Sequence, residues 1–103
     1  AGDLVFLSGV GPRHPDTDAI PEGIEAQTHA VFSNVMAILE AAGLTMSNVV
    51  DIMVFLTDMK NDFQKFNAIY AEYLDGYEAT RTTVEVGSLP TPISVEFKVV
   101  AKK

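Results

Sequence analysis

Apolar residues along the chain are grouped in runs with two different periods. Leu4, Val5, Phe6 and Leu7 form a short continuous stretch closed by Ser8 and Gly9, which predicts a buried strand. From Ile24 to Ala42 the positions Ile24, Val31, Phe32, Val35, Met36, Leu39 and Ala42 recur at helical spacings, while Glu25, Gln27, Asn34 and Glu40 fall largely elsewhere. This is a helix with one apolar stripe, and Gly43 is placed to cap its end. Val49 to Leu56, after Ser47-Asn48, is a β-branched and aliphatic run that reads as a central strand. A second helix is expected to start at Thr57 or Asp58 and run through Leu74, with Phe63, Phe66, Ile69, Tyr70, Tyr73 and Leu74 as its apolar face and Gly76 at its exit. The last third switches to period two. Arg81, Thr83 and Glu85 share one face of a strand and Thr82, Val84 and Val86 the other. After a connection over residues 87–92, Ile93, Val95, Phe97, Val99 and Ala101 point one way, and Ser94, Glu96, Lys98 and Val100 the other. Two successive strands of this kind suggest an antiparallel pair.

The order strand, helix, strand, helix, strand, strand predicts an α+β sandwich: a mixed sheet with two helices packed on one face. Two helices cover one face only. A small domain with a bare sheet face commonly buries it against copies of itself. At 103 residues the chain is expected to form one domain spanning 1–103. Ala1 stands where an initiator methionine would, so a trimmed N-terminal segment is expected to precede it.

Composition narrows the chemistry. There is no cysteine, which removes thiol catalysis, thiolate metal sites and redox switching. Fourteen acidic residues against seven basic ones give a formal charge of -7, which argues against nucleic acid as the main partner, because such binding is driven by cations replacing phosphate counterions. No apolar run approaches the length of a membrane span, and Ala1-Gly2-Asp3 has neither the basic start nor the apolar core of a signal peptide. The expectation is a cytoplasmic protein with no membrane partner.

Candidate chemistry is sparse. His14 lies in a Pro/Asp loop and His29 on the first helix, and neither has a histidine partner at a metal-binding spacing; Asp16 and Asp18 do not begin an EF-hand. No metal is expected. His29 reads as a surface or interface imidazole. Gly9-Val10-Gly11 is too short for a phosphate loop; Gly11 is either a tight strand exit or a place where a ligand approaches the backbone. Arg81, one of two arginines, opens a strand instead of decorating a helix. Its fork suits bidentate capture of a carboxylate. An ion pair with one of the many acids is the plainer reading from composition. Glu96, at a strand centre, is either a salt-bridged sheet residue or a carboxylate that orients water. Arg13 is a second anion anchor or a solvated side chain. Thr83 shares the Arg81 face and can donate a hydrogen bond. Asn67 interrupts a good helical run and is a candidate for a buried amide contact. Tyr70 and Tyr73 read as core and rim.

These segments, taken in order, resemble the RidA/YjgF family of reactive-intermediate deaminases over essentially the whole chain. The resemblance is carried by residues 2–9 (GDLVFLSG), 23–28 (GIEAQT), 39–44 (LEAAGL), 54–59 (VFLTDM) with Asp62-Phe63, 66–70 (FNAIY), 80–86 (TRTTVEV), Leu89-Pro90 and Val95-Glu96. It implies a chorismate-mutase-like fold and a homotrimer with ligand clefts between subunits. The implied chemistry is hydrolysis of enamine or imine carboxylic acids to a 2-keto acid and ammonia, with no metal or organic cofactor. The family's carboxylate-binding arginine falls on Arg81, its water-handling glutamate on Glu96 and its helix asparagine on Asn67. Thr83 stands where many members have cysteine, and the family's Gly-Pro-Tyr segment has no counterpart in this sequence. Residues 8–13 (SGVGPR) together with Thr82 to Glu85 and Leu89 to Ile93 look like the 2-aminomuconate deaminase branch. That branch acts on a dicarboxylate, which suggests that Arg81 holds the carboxylate beside the reacting carbon and Arg13 helps hold the distal one; Gly11, Asn67 and Thr83 complete the expected substrate-binding residues. The competing readings are a non-catalytic trimer of the same family that binds small carboxylates and an RNase, the latter opposed by the acidic charge.

Overall fold

The computed structural model describes residues 2–103. The elements follow in the order β1 (Leu4–Phe6), α1 (Ile24–Ala41), one 3-10 turn (Met46–Asn48), β2 (Val49–Leu56), α2 (Met59–Leu74), β3 (Thr80–Glu85) and β4 (Val95–Lys102). The strands form one mixed sheet in the order β1-β4-β2-β3, and two helices pack on one of its faces, the expected α+β sandwich. Among the described residues no helix is long and apolar enough to cross a membrane.

Local chemistry accounts for the helix ends. α1 closes with Gly43 at φ 78, a left-handed position that glycine enters without a Cβ penalty. The Gly43 and Leu44 N–H groups return to the carbonyls of Glu40 and Leu39, which satisfies two acceptors the helix leaves open. Asp58 starts α2 by accepting from the Asn61 N–H, and the Glu85 carboxylate accepts from the Met59 N–H.

The core lies between helices and sheet. Ile52, Val54 and Leu56 of β2 and Val95, Phe97, Val99 and Ala101 of β4 are buried beneath Val31, Phe32, Val35 and Leu39 of α1 and Phe66 and Tyr70 of α2. Phe97 is the sheet's central wedge. It meets Phe32 and Phe66 edge-on, at ring-centroid distances of 5.0 and 6.1 Å. Met36 and Ala42, placed on the apolar stripe by spacing alone, are exposed at the stripe's edge.

Strand pairing corrects the sequence reading twice. β3 and β4 are not neighbours. β2 lies between them, parallel to β3 and antiparallel to β4. β4 has a fully buried face and takes a central position, whereas β3 has no buried residue and takes the edge. β1 is likewise an edge strand and not a buried one: Leu4 is 37% and Phe6 55% exposed, and it is Leu7, just past the strand, that is buried.

Register decides which side chains face the helices. Ile52 pairs with Arg81 and Val54 with Thr83, so Arg81 and Thr83 share the helix-covered face with the β2 core residues. Phe55 pairs with Glu96 and Met53 with Lys98, so Glu96 and Lys98 lie on the open face. That open face also carries Phe6, Met53 and Val84 as exposed apolar residues.

Candidate active site

Arg81 leaves edge strand β3 beneath α2. Its guanidinium carbon lies 4.7 Å from the centre of the Tyr70 ring and 5.8 Å from that of Phe63. Nη1 donates to Asn67 Oδ1 at 2.6 Å. A ring face and a neutral amide hold the cation in place without neutralising it. Among the described residues of one copy no carboxylate pairs with Arg81. Asn67, a weak helix former inside the unbroken α2, thus has a local role: its amide oxygen accepts from the arginine.

Thr83 is two residues along the same face. Its Oγ1 is buried and has no hydrogen-bond partner among the described residues. Arg81 and Thr83 line a cleft of about 760 Å³ together with Met59, Lys60, Phe63 and Gln64. An anchored cation and an unused hydroxyl on one wall can take a carboxylate and a neighbouring polar atom.

Tyr70 supports the cation with its ring, not its oxygen. The phenol is 7% exposed and its hydroxyl has no partner among the described residues. Burial pushes its pKa up to about 12; the Arg81 charge works against the rise and Asp51 adds to it. Tyr70 therefore stays a neutral phenol and is not the acid or base of this site. An unfolded tyrosine ionises near 10, so above that pH the unfolded chain loses its proton first, and stability present below pH 10 is lost as pH climbs toward about 12. Tyr70→Phe is expected to lack this alkaline loss and, near pH 8, to melt at or above the wild-type temperature, because it deletes a buried hydroxyl that bonds to nothing. Thermal melts from pH 8 to 11 test both points; a clearly lower melting temperature at pH 8 would mean that the hydroxyl is bonded in the assembled protein.

Glu96 is elsewhere. It sits half-buried on the open face, and its carboxylate lies over Gly9: a Cβ on Gly9 would fall 2.5 Å from Glu96 Oε1. A side chain at position 9 would displace the flexible end of Glu96, and Gly9 has no left-handed backbone angle. Among the described residues Glu96 has no cation partner, while the neighbouring Lys98 donates to the Leu7 carbonyl. Arg81 and Glu96 thus lie on opposite faces of one sheet, and a single copy of the chain does not bring them together.

Gly11 and Arg13 line another cleft, of about 490 Å³, between β1 and α1. Arg13 Nη1 donates to the Asp18 carbonyl. The Gly11 carbonyl accepts from Asn34 Nδ2, and a Cβ on Gly11 would meet Ile93 Cδ1 at 3.3 Å. The close approach at Gly11 is therefore made by the protein's own chain.

Several polar residues have structural work that the sequence did not disclose. Asn34 Nδ2 also donates to the Arg13 carbonyl and so fixes the loop on α1. Gln27 is only 5% exposed, accepts from the Ser94 N–H and donates to the Pro21 carbonyl. His14 Nδ1 accepts from the N–H groups of Asp16 and Thr17 and organises its own turn. His29 Nδ1 lies 2.8 Å from the Tyr73 hydroxyl on an exposed surface. Among the described residues no three His, Asp or Glu side chains gather where they could hold a metal ion. Lys60 and Gln64 in the Arg81 cleft were missed, since a lysine in the first turn of an amphipathic helix looks like any solvated cation.

The family described as endoribonuclease L-PSP matches residues 1–103. A RutC family protein of Pyrococcus horikoshii is 42% identical over 104 residues, covering 100% of this chain and 82% of that protein. TdcF of Escherichia coli, which bears the name of a reactive intermediate deaminase, is 37% identical over 103 residues, covering 97% of this chain and 79% of its own length. The crystal structure of TdcF with bound serine superimposes with a TM-score of 0.91 at 36% identity, over 99% of this chain and 82% of that one. Yeast Mmf1 superimposes with a TM-score of 0.94 at 36% identity, over 100% of this chain and 82% of its own.

Proposed function

The chain belongs to the RidA/YjgF family, the family described as endoribonuclease L-PSP, and from that premise we propose that it is a hydrolytic deaminase of enamine and imine carboxylic acids. The observation that carries the proposal is the unneutralised Arg81 guanidinium, seated on Tyr70 and oriented by Asn67 at the wall of an open cleft. The serine bound by TdcF is a small amino acid with a carboxylate, a ligand of the kind such a site would hold.

The enamine substrate tautomerises to its imine. Arg81 takes the carboxylate through its fork, and Thr83 Oγ1 is placed to donate beside it. The adjacent C=N carbon is then fixed in the cleft, so the attack on it needs little further ordering. Water adds to that carbon: its oxygen bonds to carbon, one proton passes to the nitrogen, and the carbinolamine collapses to a 2-keto acid and ammonia. Glu96 orients the attacking water, accepts its proton and returns it to the nitrogen, so that ammonia leaves neutral and the carboxylate is regenerated. The chain's own residues suffice for this sequence, with no metal or organic cofactor called on.

Since Arg81 and Glu96 lie on opposite faces of the sheet, the proposed site is completed by a second copy. One subunit supplies Arg81, Asn67 and Thr83, and the partner supplies Glu96, with Gly11 and Arg13 nearby. The open sheet face, with Phe6, Met53 and Val84 exposed, is the surface that such an assembly would bury. The proposed assembly is the homotrimer that the family resemblance implies.

The substrate proposed within this class is 2-aminomuconate, a dicarboxylate, on the strength of the Ser8 to Arg13 motif. Ammonia and keto-acid release from freshly generated 2-aminoacrylate and 2-aminomuconate tests both levels. Turnover of both with preference for the second is expected. Preference for 2-aminoacrylate would leave a general imine deaminase, and turnover of neither by the folded protein would favour a binding protein for small carboxylates.

A further inference from the structure

The Arg81 cleft holds a second cation that the deamination steps do not use. Lys60, in the first turn of α2, lines the same cleft as Arg81. Among the described residues of one copy no acidic residue lines it. The nearby carboxylates are otherwise engaged: Asp58 accepts from the backbone N–H and side-chain amide of Asn61, and Glu85 Oε1 accepts from the Met59 N–H. Lys60 makes no ion pair among the described residues. What sets Lys60 apart from the other lysines is its place: it shares the wall of one cleft with Arg81.

Their spacing points to an elongated ligand. Lys60 lies seven residues before Asn67 on α2, about 10 Å along the helix axis, and Asn67 is in contact with Arg81. The cleft therefore offers two separated positive points, one a rigid fork and the other a flexible ammonium. A monocarboxylate on Arg81 would leave Lys60 unused. A six-carbon dicarboxylate has its carboxyl carbons about 6 Å apart when extended, and the lysine stem can close the remaining distance. Between the two cations the wall is Phe63 and Gln64, an apolar surface and an amide suited to a carbon chain with polar substituents.

We propose that Lys60 is the specificity residue that binds the distal anionic group of a dicarboxylate held at its other end by Arg81. The proposal rests on the assignment of Arg81 as carboxylate anchor and deepens the reading of the substrate class. It gives to Lys60 the role that the sequence suggested for Arg13, which in one copy of the chain lines a different cleft and donates to the Asp18 carbonyl.

The test is calorimetric titration of the full chain at low salt with adipate and with its monomethyl ester, which has the same length and one charge fewer. Wild type is expected to bind adipate about tenfold more tightly than the ester. Lys60→Met, which keeps the stem and removes the charge, should bring that ratio close to one; Lys60→Arg should keep most of it; Arg81→Ala should weaken both ligands. A ratio unchanged in Lys60→Met overturns the proposal, as does the absence of any preference in wild type. Loss of the ratio in Arg13→Ala but not in Lys60→Met would return the role to the loop arginine. Enamine turnover measured on the same preparations separates the two readings: dicarboxylate preference without turnover sinks the deaminase alone, and turnover without preference sinks Lys60 alone.

Discussion

Arg81→Ala is expected to lower kcat/KM for 2-aminoacrylate by at least about 100-fold while the protein stays folded and assembled. The size follows from what the side chain does. A bidentate charge-assisted contact holds the substrate and also sets the position of the reacting carbon, so its loss weakens binding and misplaces the imine that remains. The fold should tolerate the change, because Arg81 is exposed on an edge strand and is held by one hydrogen bond and the Tyr70 and Phe63 rings. Those contacts contribute about 1–2 kcal/mol together. Arg81→Lys should fall between the two, since an ammonium keeps the charge and loses the fork. The check is steady-state kinetics beside a thermal melt and a sedimentation profile. Activity within about threefold of wild type in a folded Arg81→Ala protein would remove Arg81 from the mechanism and leave it as a strut on Tyr70.

How far the residues could be read without coordinates differs from element to element. Both helices were legible, because a stripe at spacings of three and four needs only local sequence, and Gly43 and Asp58 mark their ends by local backbone chemistry. The alternation within β3 and β4 was legible for the same reason. What was not legible is non-local. Nothing within residues 80–102 says that β2 comes between β3 and β4; that depends on α2 carrying the chain back parallel to β2. The relative phase of the two strands was hidden as well. Arg81 and Glu96 each have a definite face within their own strand, and only the register with β2 shows that the faces are opposite. The resemblance pointed to both residues and to clefts between subunits, and the pairing supplies a physical reason why one copy would not suffice. Gln27 shows the converse limit: a glutamine beside an apolar stripe looks solvated until both ends of its amide are seen to be bonded.

Mixing two inactive variants is expected to restore activity that neither has alone. Arg81→Ala lacks the carboxylate anchor and Glu96→Gln the base, and each should be nearly inactive by itself. If every site takes Arg81 from one subunit and Glu96 from its neighbour, a randomly mixed oligomer contains some interfaces at which both intact residues meet. Each such site needs an Arg81 donor on one side, with probability one half, and a Glu96 donor on the other, also one half. At equal amounts about a quarter of the sites are therefore intact, whatever the number of subunits in a closed ring. The experiment is co-refolding or co-expression of the two variants with distinguishable tags, which verify that mixed species form, and measurement of ammonia release from the unfractionated mixture. Recovery near a quarter of wild type is the expected result. The opposite arrangement, with both residues serving one site from a single copy, predicts no recovery, because no subunit in the mixture carries both. That arrangement would require Glu96 to reach around the sheet from the open face to the helix-covered one. Its carboxylate lies over Gly9 on the open side, and β2, with its buried Ile52, Val54 and Leu56, stands between β4 and the strand that carries Arg81.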